Sequence, residues 1–277
     1  MKYSVFTAMM NDFTPEETAR KIKSAGYDGV EWGISDGYSI KFDQTVKDAE
    51  IYRKMAADEG LKISAIGTGL KLNEIEKIKK MFEVCSRIGA SQFRVIVPSY
   101  GFNWEEIKKS NYHRLYEQSK KELEPIEKLS GEYGIKVTIE THFGNICSSA
   151  GLAYRLVKDF DPECIGVIYD PGNMIVEGRE SWKMGLELLG NYLAHVHVKN
   201  LLWQYGEEDY TGNKCEPGWH WAWADMDKGM VDWQEVIEAL KATGYKGYLS
   251  LEDFSPRPIE ERLKAINYLR GLEKDED

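Results

Sequence analysis

The feature that most constrains this chain is an alternation of β-type and helix-type segments that runs from its first residues to its last. Apolar and β-branched stretches at residues 3–9, 29–35, 62–68, 92–98, 136–142, 165–170, 193–200 and 248–252 read as strands. A helical pattern follows each one. Thr14-Pro15-Glu16-Glu17 opens the first helix as a capping box with proline at N1, and Gly26 ends it. Ile75, Ile78, Met81, Phe82 and Cys85 recur at helical spacing, as do Ile259, Leu263, Ile266 and Leu269. A long helical region is expected from Trp104 to Tyr133, bent or divided at Pro125. Strand–helix alternation implies parallel strands joined by helical crossovers, and eight units suggest closure. The predicted fold is α/β, a single (β/α)8 TIM barrel forming one domain over residues 1–277. An open doubly wound sheet is the alternative, but no Gly-x-Gly-x-x-Gly turn follows the first strand.

The strand Leu193-Ala194-His195-Val196-His197-Val198-Lys199-Asn200 carries three ionisable side chains on one face and valines on the other. In a sheet covered by helices such a row is costly unless it is paired or holds a ligand. Active sites of closed α/β barrels lie at the C-terminal ends of the strands. Those ends carry Glu140 and His142 on the fifth strand, Asp170 on the sixth, His197 and Lys199 on the seventh and Glu252 on the eighth. Three carboxylates converging there would repel, and a divalent cation removes the conflict. Three oxygen donors and one imidazole suit an octahedral ion such as Mn²⁺, Mg²⁺ or Co²⁺ and argue against a thiolate-rich structural zinc site.

Ile139-Glu140-Thr141-His142, Tyr169-Asp170-Pro171-Gly172-Asn173, His195-Val196-His197-Val198-Lys199-Asn200, Gly229-Met230-Val231-Asp232-Trp233 and Leu251-Glu252 occur in that order, preceded by Gly26-Tyr27-Asp28-Gly29-Val30-Glu31. With these pieces the chain resembles the xylose isomerase-like TIM barrel family of sugar isomerases and epimerases, which includes ketose 3-epimerases, hydroxypyruvate isomerase and inosose dehydratase. The resemblance implies that Glu140, Asp170, His197 and Glu252 hold one divalent metal ion per chain. Mn²⁺ is the favoured ion, with Co²⁺, Mg²⁺ and Zn²⁺ as the others. It also implies that Glu140 and Glu252 flank the substrate as acid and base. The expected reaction moves a proton next to the carbonyl of a ketose through an enediolate. A dehydratase acting on an inosose-type keto-polyol is the alternative, because it needs the same first step. An endonuclease IV-like nuclease ranks below both, since it needs more histidines than the five present.

Two positions depart from the ketose 3-epimerase pattern. Asn173 stands where a histidine often follows the sixth-strand aspartate, and Leu201-Leu202-Trp203-Gln204 stands where an arginine follows the seventh-strand histidine. Both departures bear on the substrate and leave the metal ligands intact. His142, Asn173, Lys199 and Trp32 are the candidate substrate-binding residues. His142 and Lys199 have a second reading, as groups that orient Glu140 and His197. His195, deeper on its strand, is expected to make a structural hydrogen bond. Glu31 and Arg94 both point inward by alternation and are expected to form a buried ion pair below the metal.

The segment from about 201 to 228 is too long for an ordinary strand-to-helix loop and is rich in Trp and Tyr, so a lid or a subunit interface is expected there. It lacks a Gly-rich anion nest, which favours a non-phosphorylated sugar or keto-polyol. The net charge of -10 argues against a nucleic-acid partner. No apolar run is long enough to span a bilayer, and the start of the chain does not read as a signal peptide. The four cysteines show no paired spacing and are expected as free thiols in a reducing compartment. A cytoplasmic homo-oligomer is the resulting expectation.

Overall fold

A computed structural model describes residues 1–177, 180–210 and 212–274. Eight parallel strands close into a barrel: β1 (Lys2–Phe6), β2 (Gly29–Ile34), β3 (Lys62–Thr68), β4 (Gln92–Arg94), β5 (Lys136–Glu140), β6 (Ile165–Tyr169), β7 (Leu193–Val198) and β10 (Tyr248–Leu251). Each pairs with its neighbours in chain order, and β1 closes the ring between β10 and β2. The two remaining strands, β8 (Leu201–Glu208) and β9 (Lys214–Trp223), form an antiparallel hairpin. The expected long loop is therefore mostly strand, because Trp203 faces Trp221 and Tyr205 faces Trp219 across the ladder. No helix among the described residues is long and apolar enough to cross a membrane.

Local chemistry accounts for most of the boundaries. Thr14 and Glu17 form the capping box, with Pro15 in the first turn of its helix. Asp232 caps Trp233–Ala242 by accepting from the Glu235 amide. The helical region after β4 divides before Asn111 and not at Pro125. Asn103 caps the short helix Trp104–Ile107, Asn111 caps Tyr112–Tyr133, and Pro125 lies inside the second of these. A capping side chain starts a helix locally, whereas proline forfeits one backbone hydrogen bond that twenty-two residues of helix absorb. The first and fourth strands are also shorter than expected. After Phe6 the chain makes a 3-10 turn over Thr7–Met10, and after Arg94 it leaves the sheet, with the Ile96 amide donating to Leu70 O at 2.7 Å.

The apolar core lies between the barrel and its helices. Val5, Val30, Ile66, Phe93, Ile139, Tyr169, Val196 and Leu251 point outward into it. Trp32 belongs to this layer as well: it is fully buried, and its ring meets Tyr52 of the helix Phe42–Asp58 at 6.1 Å. Its expected place in the wall of a substrate pocket is therefore corrected. Glu31 faces inward, so strand alternation turns Trp32 to the helices. The barrel interior is polar instead, with Ser4, Glu31, Arg94, Thr138, Glu140, His195, His197, Ser250 and Glu252 all buried.

Candidate metal centre

The ends of four strands each deliver one ionisable group of the cluster at the barrel mouth. Glu140 is the last residue of β5, Asp170 follows β6, His197 lies near the end of β7, and Glu252 follows β10. One ligand atom from each lies within 4.8 Å of all the others. The His197 Nδ1 atom is 3.0 Å from Glu140 Oε1, 3.4 Å from Glu252 Oε2 and 3.8 Å from Asp170 Oδ2. An octahedral ion with donors at about 2.1 Å separates adjacent donors by about 3 Å and opposite ones by about 4 Å. The donor set fits a hard divalent cation.

The imidazole is held from behind. His197 Nε2 sits 3.2 Å from Glu31 Oε1, and His195 Nε2 sits 3.0 Å from Glu31 Oε2. With Glu31 accepting from Nε2, Nδ1 is the ring atom that faces the carboxylates, and it would offer its lone pair to an ion once its proton is displaced. Phe6 stacks on the same ring, with centroids 5.7 Å apart and planes 14° apart. Gly67 makes room for Phe6, because a Cβ there would lie 2.3 Å from the phenyl ring. His195 thus makes the structural hydrogen bond expected of it.

Arg94 and Glu31 are both buried, but they do not pair. Arg94 Nη1 donates to Glu140 Oε2 at 2.5 Å and lies 3.8 Å from Glu252 Oε1. The Phe6 ring accounts for the difference. It lies over Gly67 on the intervening strand, where Glu31 is a close neighbour, and Arg94 sits against its face at 5.2 Å. Arg94 therefore reaches up to the mouth, and the two histidines take Glu31. Arg94 and Phe6 are site residues that the spacing of the sequence did not reveal as such. Inward alternation was the available signal for Arg94; for Phe6 there was none.

Lys199 is buried, with Nζ 2.7 Å from Asp170 Oδ2 and in contact with Glu252 Oε2. Asn173 is buried too, and its side chain donates to Glu140 Oε1, Asp170 Oδ2 and Thr141 O at 3.1, 3.0 and 3.2 Å. Its amide nitrogen is thus taken up by the two carboxylates and the Thr141 carbonyl. The turn from Asp170 into the helix Pro171–Glu177 bends Asn173 back onto the site, and its backbone N–H donates to Asp170 Oδ1 at 2.8 Å. His142 is half-buried just beyond β5, with Nδ1 2.6 Å from Phe143 O. If Nδ1 donates to that carbonyl, Nε2 is an acceptor facing the mouth.

Charge compensation sets the protonation of these groups. Burial pushes Glu140 up, but Arg94 and His197 outweigh it and hold the carboxyl well below its usual range. Burial acts the same way on Glu252, which Lys199 and His197 bring down to about 2. Asp170 goes the other way: burial, with Glu252 and Glu140 nearby, raises it to about 7 despite Lys199. Burial disfavours protonated His197, yet Glu31, Glu252 and Glu140 raise it well above the ordinary imidazole value.

The hairpin forms one side of the mouth. Trp221 stacks on Tyr210 at 4.1 Å and meets Phe143, which follows β5, at 5.5 Å. Trp223 meets Phe254, which follows β10, at 6.5 Å. Asn200 pins the base of the hairpin: its side chain bonds Met226 O, Val231 O and the amides of Leu201 and Val231 at 2.9–3.0 Å. Gly229 is required beside it, since a Cβ there would lie 2.0 Å from Asn200 Oδ1.

Known proteins resemble this chain in sequence and in fold. The chain is 27% identical over 157 residues to an inosose dehydratase of Geobacillus thermodenitrificans, covering 51% of this chain and 49% of that protein. The chain thus spans about half the length of the first curated relatives it matches. A match to inosose dehydratase of Mesomycoplasma hyopneumoniae is longer, 25% identical over 94% of this chain and 89% of that one. Among solved structures, the 3-keto-D-glucoside 4-epimerase YcjR of E. coli superposes with a TM-score of 0.75 over 98% of this chain and 99% of that chain. Its sequence identity is 18%, so this likeness is one of fold. The xylose isomerase-like TIM barrel model matches residues 19–272. Together with the closed barrel and the buried carboxylate–imidazole cluster at its mouth, that match means the chain belongs to the xylose isomerase-like TIM barrel family.

Proposed function

We propose that this protein is a divalent-metal-dependent enzyme that moves a proton at the carbon beside the carbonyl of a keto-sugar or keto-polyol, giving epimerisation or aldose–ketose isomerisation. The observation that carries this reading is the group of three carboxylates and one imidazole within 4.8 Å of one another, all buried. Glu140, Asp170, His197 and Glu252 would hold the ion, Mn²⁺ by preference, and the ion would stabilise negative charge developing on the substrate's oxygens.

Glu140 and Glu252 carry the proton transfers in this reading. They stand on β5 and beyond β10, with β6 and β7 between those strands, so they approach the centre from different sides of the barrel. One removes the proton and the other returns it, to the opposite face for epimerisation or to the neighbouring carbon for isomerisation. Arg94 keeps Glu140 ionised, and Glu31 fixes the ring of His197. His142 Nε2 accepts from a substrate hydroxyl, and Lys199 hydrogen-bonds a substrate oxygen. A neutral sugar or polyol fits a mouth walled by aromatic rings.

A second reading, loss of water from a keto-polyol, is favoured by one observation. The Lys199 ammonium lies against Glu252, so a proton donor for a departing hydroxyl stands beside the base. The name carried by the curated relatives points the same way. Incubation of metal-loaded protein with ketoses and inososes in D₂O separates the readings. Deuterium at carbon without loss of mass supports epimerisation or isomerisation, and release of water supports the dehydratase. If no substrate of either class exchanges or migrates a carbon-bound hydrogen and none releases water, both are wrong.

A further inference from the structure

A cavity of about 440 Å³ reaches the metal centre at Glu140 and is lined by Val95 to Ser99, the segment that follows β4. Its inner end is formed by Glu140 and His142, and its outer end by Gln118 and Glu122 of the helix Tyr112–Tyr133. It exists because β4 stops at Arg94: the chain then turns toward the segment after β3, pairing Ile96 with Lys71, and leaves a gap above the strand. Leu72, Val95, Val97, Pro98, Leu115 and Phe102 wall the stretch between the two ends.

Lys71 and Asn73 line the cavity but are exposed, and the other polar side chains along this stretch are bonded within the protein. Ser99 Oγ donates to Gly144 O at 2.9 Å, and Asn145 Oδ1 accepts from the Cys147 amide at 2.7 Å. At the outer end Gln118 donates to Glu122 at 2.8 Å. A hydroxylated sugar unit placed against the aliphatic walls, away from Lys71 and Asn73, would lose water and gain few partners, which is unfavourable for each buried hydroxyl. An apolar group would gain burial against the aliphatic walls and lose nothing.

We propose that this channel is a subsite for an apolar substituent on the substrate, so that the protein prefers an alkyl- or aryl-substituted sugar or keto-polyol to the free one. The proposal rests on the reading of the metal centre given above, because the polar ring must be anchored at Glu140 and His142 for its substituent to enter the channel. The cavity lies within the range of about 300–1,000 Å³ typical of pockets that enclose a drug-sized ligand.

The test compares methyl and phenyl glycosides of D-fructose, which have no free carbonyl and so report binding alone. Calorimetry on the Mn²⁺-loaded protein should show the phenyl glycoside binding at least about tenfold more tightly than the methyl one. Leu115→Trp, which fills the channel, should abolish most of that preference. In wild-type protein, nuclear Overhauser contacts should link the phenyl protons to the Leu115 methyl groups, a readout that stands even if the variant does not fold. Equal affinities, no binding of either glycoside, or a phenyl preference without contacts to Leu115 would overturn the proposal. Deuterium exchange on free ketoses without a phenyl preference would remove the channel and keep the proposed reaction. A phenyl preference without any exchange would do the reverse.

Discussion

Ile139 and Glu140 are consecutive residues of β5, yet they occupy opposite media. Ile139 points outward into the apolar layer between barrel and helices, and Glu140 points inward to Arg94, Asn173 and His197. The same division runs through β7, with Val196 and Val198 outside and His195 and His197 inside. The outer face stabilises the fold through area, which tolerates small changes of shape. The inner face depends on a complete set of partners, because one removed charge leaves another buried and uncompensated. The barrel thus places its stability mostly on one side of each strand and its chemistry on the other.

Substitutions on the two faces should differ accordingly. The largest effect is expected from Glu252→Gln, which keeps the shape and removes one of the two proposed proton-transfer groups: turnover should fall by about 10²–10⁴. Steady-state kinetics beside metal analysis checks this, and a variant with unchanged kcat at full metal occupancy would remove Glu252 from catalysis. Arg94→Met should destabilise the fold by about 3–5 kcal/mol, since Glu140 loses its buried counter-charge. Denaturant unfolding of the metal-free protein measures the loss, and wild-type stability would show that the ion pair is dispensable.

Glu31→Gln acts one step removed from the centre. His197 loses the carboxylate behind its Nε2, and Mn²⁺ affinity should fall by about 10–100-fold. Competition with a fluorescent chelator reads that shift. Ile139→Val, on the outer face, should cost about 0.5–1.5 kcal/mol and leave metal affinity and kcat unchanged. A large effect of Ile139→Val on metal affinity would break the division between the faces.

Protonation offers a further test of the inner face. Asp170 is raised to about 7 and His197 above its ordinary value, so both carry protons near neutrality that a metal ion must displace. Metal binding should therefore release protons, and apparent affinity should rise with pH through the neutral range. Calorimetry in buffers of different ionisation enthalpy measures the release. A pH-independent affinity with no proton release would show that these ligands are already deprotonated.

Much of the site was legible before any coordinates. Strand alternation put Glu140, His197 and Glu252 on inward faces, and the ends of the strands in a closed barrel meet at one mouth. The same alternation, applied consistently, turns Trp32 away from the mouth once Glu31 is inward. Asn173 was harder to place. It follows β6 in a short helix, where the direction of a side chain depends on how Asp170 caps that helix. The hairpin was visible only as a long aromatic segment, because cross-strand pairing of Trp203 with Trp221 depends on a register that neither residue specifies alone.

By itself the sequence determined the eight strand–helix units, the closed barrel and the identity of the groups at the strand ends. These follow from periodicities of two and 3.6 residues and from capping side chains, all of which act within a few positions. Tertiary structure alone decided that Arg94 serves Glu140 and Glu252, that Glu31 turns His197, and that a channel opens where β4 ends. Those outcomes depend on which side chain reaches which partner across the barrel. The Phe6 ring, seated over Gly67, helps set them, and it comes from the opposite end of the chain to Glu252.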